Sequence, residues 1–273
     1  MKILISADIE GIAGVVHAEQ TRPGNTEYES ARRLMTEEVN AAIRGAFAGG
    51  ASEVTVNDSH GTFRNLIPEL LHPEARTILG KPRAFGMMAG LATDIGGVML
   101  VGYHGRSQSR GILTHTINSF AFARIWFNDI EVGEAGIYGA LAGEFRVPVL
   151  FGSGDDVFGN EFRELFPQAE YATVKQAMGN SSGVSLSPQK ARAALESGAR
   201  SAVENAGRQK ALMFSCPIRC RVQSSSPILT DLFCQLPGTQ RLDGVLFEFT
   251  MPSVEHAVRV LNCLSVMSVA LKT

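Results

Sequence analysis

The chain opens on a short apolar run, residues 2–7 of "MKILISA", which reads as a buried strand. In "TEYESARRLMTEEVNAAIRGAFAGG" the apolar residues Ala31, Leu34, Met35, Val39, Ala42, Ile43, Ala46 and Phe47 recur at helical spacing. Gly49 and Gly50 stop that helix. "SEVTVND", "GGVMLVGYH" and "VPVLFGSGDD" follow as further strands, with "GEAGIYGALAGEFR" as a helix before the last of them. Strands alternating with helices predict a largely parallel sheet covered on both faces. "HTINSFAFARIWFNDIEVGE" departs from this pattern. Its apolar residues cluster as in a strand and Asn128-Asp129 has the chemistry of a hairpin turn, so some antiparallel pairing is expected.

Beyond about residue 170, "EYATVKQAM" reads as a strand, and "SPQKARAALESGARSAVENAG" as an amphipathic helix capped by Ser187 with Pro188 in its first turn. "QRLDGVLFEFT" reads as one more strand and "SVEHAVRVLNCLSVMSVALK" as a C-terminal helix. The expected fold class is α/β, a three-layer α/β/α arrangement around a mixed, mostly parallel sheet. Residues 1–273 are expected to form one domain, with a soft subdomain boundary near 165.

Composition narrows the partners. With 45% hydrophobic residues, a formal net charge of -2 and no long charged run, nothing draws the chain to nucleic acid or to an anionic membrane. No stretch approaches the roughly 20 consecutive apolar residues of a membrane span. "MKILISADIE" lacks the long apolar region and cleavage site of a secretory signal, so a cytoplasmic location is expected. Four cysteines, Cys216, Cys220, Cys234 and Cys263, all lie in the last quarter. Cys216 and Cys220 resemble half of a metal knuckle, but no second close pair follows, and free thiols are the expectation.

In open α/β sheets, ligands gather beyond the carboxyl ends of the parallel strands. The strand ends here carry Asp8 and Glu10, then Asp58 and His60, then His104, then Asp155 and Asp156, with His115 in a following loop. The chain has only six histidines. Crowded carboxylates raise one another's pKa unless a cation lies between them, and imidazole with carboxylate suits zinc, manganese or iron. Asp58 reads equally as a turn-forming residue, Asp155 and Asp156 as caps of a following helix, and Lys175 as either a carboxylate partner or a surface lysine.

"SADIEG" is similar to the Ser-x-Asp-x-Glu-Gly signature of the zinc-dependent D-aminopeptidases of bacterial dipeptide-transport operons. The resemblance continues in order through "YESARRLMTEEVNAA", "VNDSHG", "LHPEA", "VGYHGR", "THT", "FNDIEVGEAG", "VPVLFGSGDD", "VKQAMG" and "LSP", and weakens beyond about residue 190. It implies an enzyme with two zinc ions per chain, manganese or iron remaining open as the native metal. On it, Asp8 bridges the two ions, Glu10 and His60 complete one, His104 and Glu134 complete the other, and His115 is the catalytic histidine. A shared zinc-bound hydroxide, a polarised scissile carbonyl and a held amino terminus are the implied chemistry. The implied substrates are short D-alanyl peptides, and the implied assembly is a homo-oligomer, a decamer of two stacked pentamers. One departure stands out: the family commonly has arginine after the glycine of "VKQAMG", where this chain has Asn180.

Three other readings use the same chain. "GNSSG" matches the G-x-S-x-G pattern of a serine hydrolase, with Ser181 as nucleophile and Asp243 and His256 downstream in the required order. A dinuclear site with Arg106 and Arg110 nearby suits a phosphodiesterase. A non-catalytic binding protein on this fold is the third, and the presence of all five implied ligands argues against it.

Overall fold

In a computed structural model of the chain, which describes residues 1–272, the elements run in the following order. The strands are β1 (Lys2–Ala7), β2 (Glu53–Asp58), β3 (Arg76–Ile78), β4 (Ile95–Val101), β5 (Phe122–Phe127), β6 (Ile130–Glu131), β7 (Val149–Asp155), β8 (Glu170–Gly179), β9 (Ser182–Ser185), β10 (Ile218–Ser224), β11 (Thr239–Arg241) and β12 (Leu246–Met251). The helices are α1 (Thr26–Ala48), α2 (Glu134–Glu144), α3 (Asp156–Leu165), α4 (Pro188–Glu204), α5 (Pro227–Phe233) and α6 (Val254–Ser268).

Seven strands form the main sheet in the order β3-β2-β1-β4-β7-β8-β9. All its pairings are parallel except the β8–β9 hairpin. β1 is buried on both faces because Ile3 and Ile5 pack with α1 and α4, while Leu4 points into the opposite core. That opposite core contains α2, α3 and a second sheet of order β11-β12-β10-β5-β6, backed by α5 and α6. The α/β fold with a mixed, mostly parallel sheet is as expected from the sequence. The expected hairpin also forms, Asn128 and Asp129 adopting φ of 48° and 70° in the β5–β6 turn.

The antiparallel strands, however, belong to a sheet of their own. β5 pairs with β10, about ninety residues away along the chain, and β10 with β12. The expected strand over 240–250 is likewise split into β11 and β12. The Asp243 carboxylate accepts from the amides of Val245 and Leu246 and turns the chain between them. Helix 254–271 is apolar enough and long enough to cross a membrane by those criteria alone. It lays Val254, Ala257, Val258, Leu261 and Leu264 into the second core.

The chain order places the carboxyl ends of β1, β2 and β4 side by side. Connections run from β1 outward to β2 and β3, then return to β4 on the other side of β1. The crevice where the winding reverses, between β1 and β4, is where ligands bind in such sheets. The turn after β1 presses there against the turn after β4. The Gly11 amide donates to the Gly102 carbonyl at 2.7 Å, and a Cβ on Gly11 would lie 2.0 Å from the Tyr103 carbonyl oxygen. Only glycine permits that approach.

Candidate metal centre

Six of the residues singled out from the sequence meet at this crevice. Asp8 leaves the end of β1 with one carboxylate oxygen toward each neighbouring strand. Its Oδ1 lies 3.3 Å from His60 Nδ1, and its Oδ2 lies 3.5 Å from His104 Nε2. Glu10, two residues on, places Oε2 2.9 Å from the same His60 nitrogen. Glu134 enters from the other layer as the first residue of α2, its Oε1 3.6 Å from His104 Nε2 and 3.7 Å from His115 Nε2. The rings of His104 and His115 stack with centroids 4.1 Å apart. Two groups have ligand-capable atoms close enough to converge on one ion, Asp8 with Glu10 and His104, and His104 with His115 and Glu134.

Each imidazole is oriented by its outer nitrogen. His60 Nε2 donates to the Thr21 carbonyl at 2.9 Å, His104 Nδ1 to the Gly105 carbonyl at 3.0 Å, and His115 Nδ1 to the Leu113 carbonyl at 2.9 Å. A carbonyl oxygen only accepts, so each outer nitrogen carries the proton, and each inner nitrogen of a neutral ring turns its lone pair toward the same space that the carboxylates face. Metal-binding histidines are held in this way. His104 Nε2 and Glu10 Oε2 are buried with no hydrogen-bond partner among the described residues. Buried polar atoms are rarely left so, and here both point into a cluster of ligand atoms.

The electrostatics also call for a cation. Burial works against a charge on His60 and His104, yet the adjacent acids overcome it. Glu10 and Asp8 hold the His60 pKa well above the usual imidazole range, and Glu134 and Asp8 push His104 up to about 10. Burial alone would raise Asp8, but the adjacent His104 and His60 imidazoles pull it below the usual carboxylate range. Burial raises Glu134 despite the His104 and His115 imidazoles. A proton on imidazole and a metal ion answer the same excess of negative charge. The donor set, the imidazoles of His60 and His104 with the carboxylates of Glu10, Glu134 and an Asp8 that faces both ways, fits zinc.

The other singled-out acids serve the scaffold. The Asp58 carboxylate accepts from the amides of Asn65 and Leu66 and from the Asn65 side chain, folding the loop that carries His60. Asp155 caps α3 through the Phe158 amide and also accepts from Ile112, fixing the loop that leads to His115. Asp156 accepts from Ala177. The strand-end reading that counted both as ligand candidates is corrected: both oxygens of Asp155 and one of Asp156 accept from backbone amides. Lys175 is not a surface residue; it is buried and donates to the carbonyls of Glu10, at 2.5 Å, and Val15, at 2.6 Å. Asn180 braces the same loop as Asp155, its amide 3.3 Å from both Gly111 O and Thr114 Oγ1.

Ser181 occupies the tight turn between β8 and β9 rather than a strand-to-helix elbow. His256 sits on α6 with its Nδ1 2.8 Å from Ser253 Oγ, so the serine-hydrolase arrangement does not form. Arg106 is engaged with Glu161 and Glu131, at 3.4 and 3.8 Å, and is not a free phosphate ligand. The four cysteines are free thiols. A cavity of about 230 Å³ opens onto the ligands, lined also by Lys81, Arg83, Tyr138 and Asn262. Sequence reading had singled out none of these four. They come from an irregular turn and from two helices otherwise concerned with packing.

The sequence model of the D-aminopeptidase family, peptidase family M55, matches residues 1–263. A D-aminopeptidase of Bacillus subtilis (strain 168) is 40% identical over 212 residues, 78% of this chain and 77% of that protein. The solved structure of the Zn-dependent D-aminopeptidase DppA from Bacillus subtilis, described as a self-compartmentalizing protease, superposes with a TM-score of 0.96 at 32% identity, covering 98% of each chain.

Proposed function

We infer that this chain, which belongs to the D-aminopeptidase family, is a zinc-dependent aminopeptidase that removes the N-terminal residue from short peptides, D-alanyl peptides in particular. The observation that carries the reading is the orientation of the three imidazoles, each fixed through its outer nitrogen and aimed inward at Asp8, Glu10 and Glu134. Two zinc ions per chain are proposed. Asp8 would bridge them, with Glu10 and His60 holding one and His104 and Glu134 the other. Zinc in such a site supplies a nucleophile at neutral pH by acidifying water and polarises the carbonyl under attack.

The chain's own residues supply the rest. His115 lines the cavity and is partly exposed, while His104 behind it is buried. With Nδ1 committed to Leu113, Nε2, 3.7 Å from Glu134 Oε1, is the ring nitrogen left for a proton-transfer role. That position suits delivery of a proton to the departing amine or a hydrogen bond to the developing oxyanion. A homo-oligomer is proposed as the working form, a decamer on the resemblance read from the sequence.

The reading is tested by assaying D-alanyl and L-alanyl dipeptides before and after metal removal. Cleavage of the D-series at least about tenfold faster, abolished by a chelator and restored by zinc, is expected. Equal rates on the L-series would overturn the substrate assignment. Activity that survives chelation would overturn the metal assignment.

A further inference from the structure

The cavity that opens onto the metal ligands also has a cationic wall. Lys81 and Arg83 line it, and neither has a carboxylate partner within ion-pair distance among the described residues. Arg83 is half-buried and hydrogen-bonds only to neutral oxygens. It donates to the Asn57 side chain, to the Ile78 carbonyl at 3.3 Å and to the Asp58 carbonyl at 2.6 Å. Its guanidinium lies 3.9 Å from the Phe63 ring centroid, and its Nε is buried without a partner. Lys81 donates to the Gly61 carbonyl at 3.0 Å and lies over the same ring at 5.7 Å. Across α6, the Asn262 side chain brings another buried, unpartnered nitrogen to this wall.

A guanidinium pinned by carbonyls and an aromatic face cannot swing out to water. Its burial lowers its pKa to about 10, against the nearby Asp58 charge. The Asp58 carboxylate is itself held by Asn65 and Leu66. The wall therefore offers fixed positive charge and free N–H groups to whatever enters the cavity.

We propose that Lys81 and Arg83 bind the C-terminal carboxylate of a short peptide whose amino end lies at the metal ligands. The site then favours peptides whose C-terminal carboxylate is free. This rests on the aminopeptidase reading and names the part of the substrate that reading leaves open.

The test compares kcat/KM of the zinc-loaded enzyme for D-alanyl-D-alanine and for its C-terminal amide. A charge-assisted contact predicts a free-acid preference of about 10- to 100-fold, expressed mainly in KM. Lys81 is exposed, so its replacement should leave folding intact. Lys81→Met should cut the acid-to-amide ratio several-fold, and Lys81→Glu should cut it further. Arg83→Lys, which keeps the charge but not the fork that holds Asn57 and Asp58, should also lower the ratio. A wild-type ratio near one, or a ratio that none of these variants moves, overturns the proposal. Failure of the wild type to cleave either compound overturns the aminopeptidase reading with it.

Discussion

His115 differs from the other two imidazoles of the centre in keeping about a fifth of its side chain exposed, 22% against 14% for His60 and 1% for His104. It therefore faces the space a substrate occupies, while Asp8 and Glu10 lie beneath it. These positions predict three separable phenotypes. His115→Ala should retain zinc and lose about 10²- to 10⁴-fold in turnover, the range of a lost general acid or base. Asp8→Asn should cost both ions, because its two oxygens face both half-sites, whereas Glu10→Gln should weaken mainly one. Zinc analysis of the three purified variants beside their turnover checks this, and zinc loss in His115→Ala would make that residue a ligand instead. Asp8, Glu10, His60 and His104 were legible because each follows a strand of recognisable pattern. Glu134 was not, since the start of α2 carries no strand-end signal and only the family resemblance pointed to it.

At the scale of elements, the turn after β1 is held from below by two charged side chains that the reaction does not touch. Lys175 reaches from β8 to the carbonyls of Glu10 and Val15, and Glu38 reaches from α1 to the Ala13 amide at 2.9 Å. Burial lowers the Lys175 pKa to about 8 and raises the Glu38 pKa to about 7. For Glu38 the folded pKa exceeds the usual 4.5, so its contribution to stability is intact below that value and is lost as pH rises toward 7. Glu38→Gln keeps the acceptor for Ala13 and removes the titration. Its melting temperature relative to wild type should climb between pH 4.5 and 7.5, by the equivalent of at most about 3 kcal/mol and less for the lost attraction to Lys175. A difference independent of pH would contradict the assignment. Long periodic elements such as α1 and α4 were legible in the sequence, as was the β5–β6 hairpin. The second sheet was not, because hydrophobic pattern identifies strands but not partners, and β5 finds its partner β10 only through the folded core.

The whole molecule leaves several large apolar side chains in solvent. Met178 and Val184 sit on the β8–β9 hairpin at 76% and 59% exposure, and Val266 and Val269 at the end of α6 at 69% and 59%. Val266 also borders the substrate cavity. Exposed apolar groups near a site are natural contacts for further copies of the chain. As ten chains of 29.3 kDa, the proposed decamer would weigh about 290 kDa, and light scattering on the purified protein should find it. A 29.3-kDa species alone would contradict the assembly while leaving the metal centre untouched. The number of ions the centre holds is the most direct measure of its chemistry. Metal-stripped protein should be titrated with zinc while D-alanyl dipeptide hydrolysis is followed. Activity that rises to a plateau at two equivalents per chain is the predicted result. A plateau at one equivalent, or activity that needs no zinc, would contradict it.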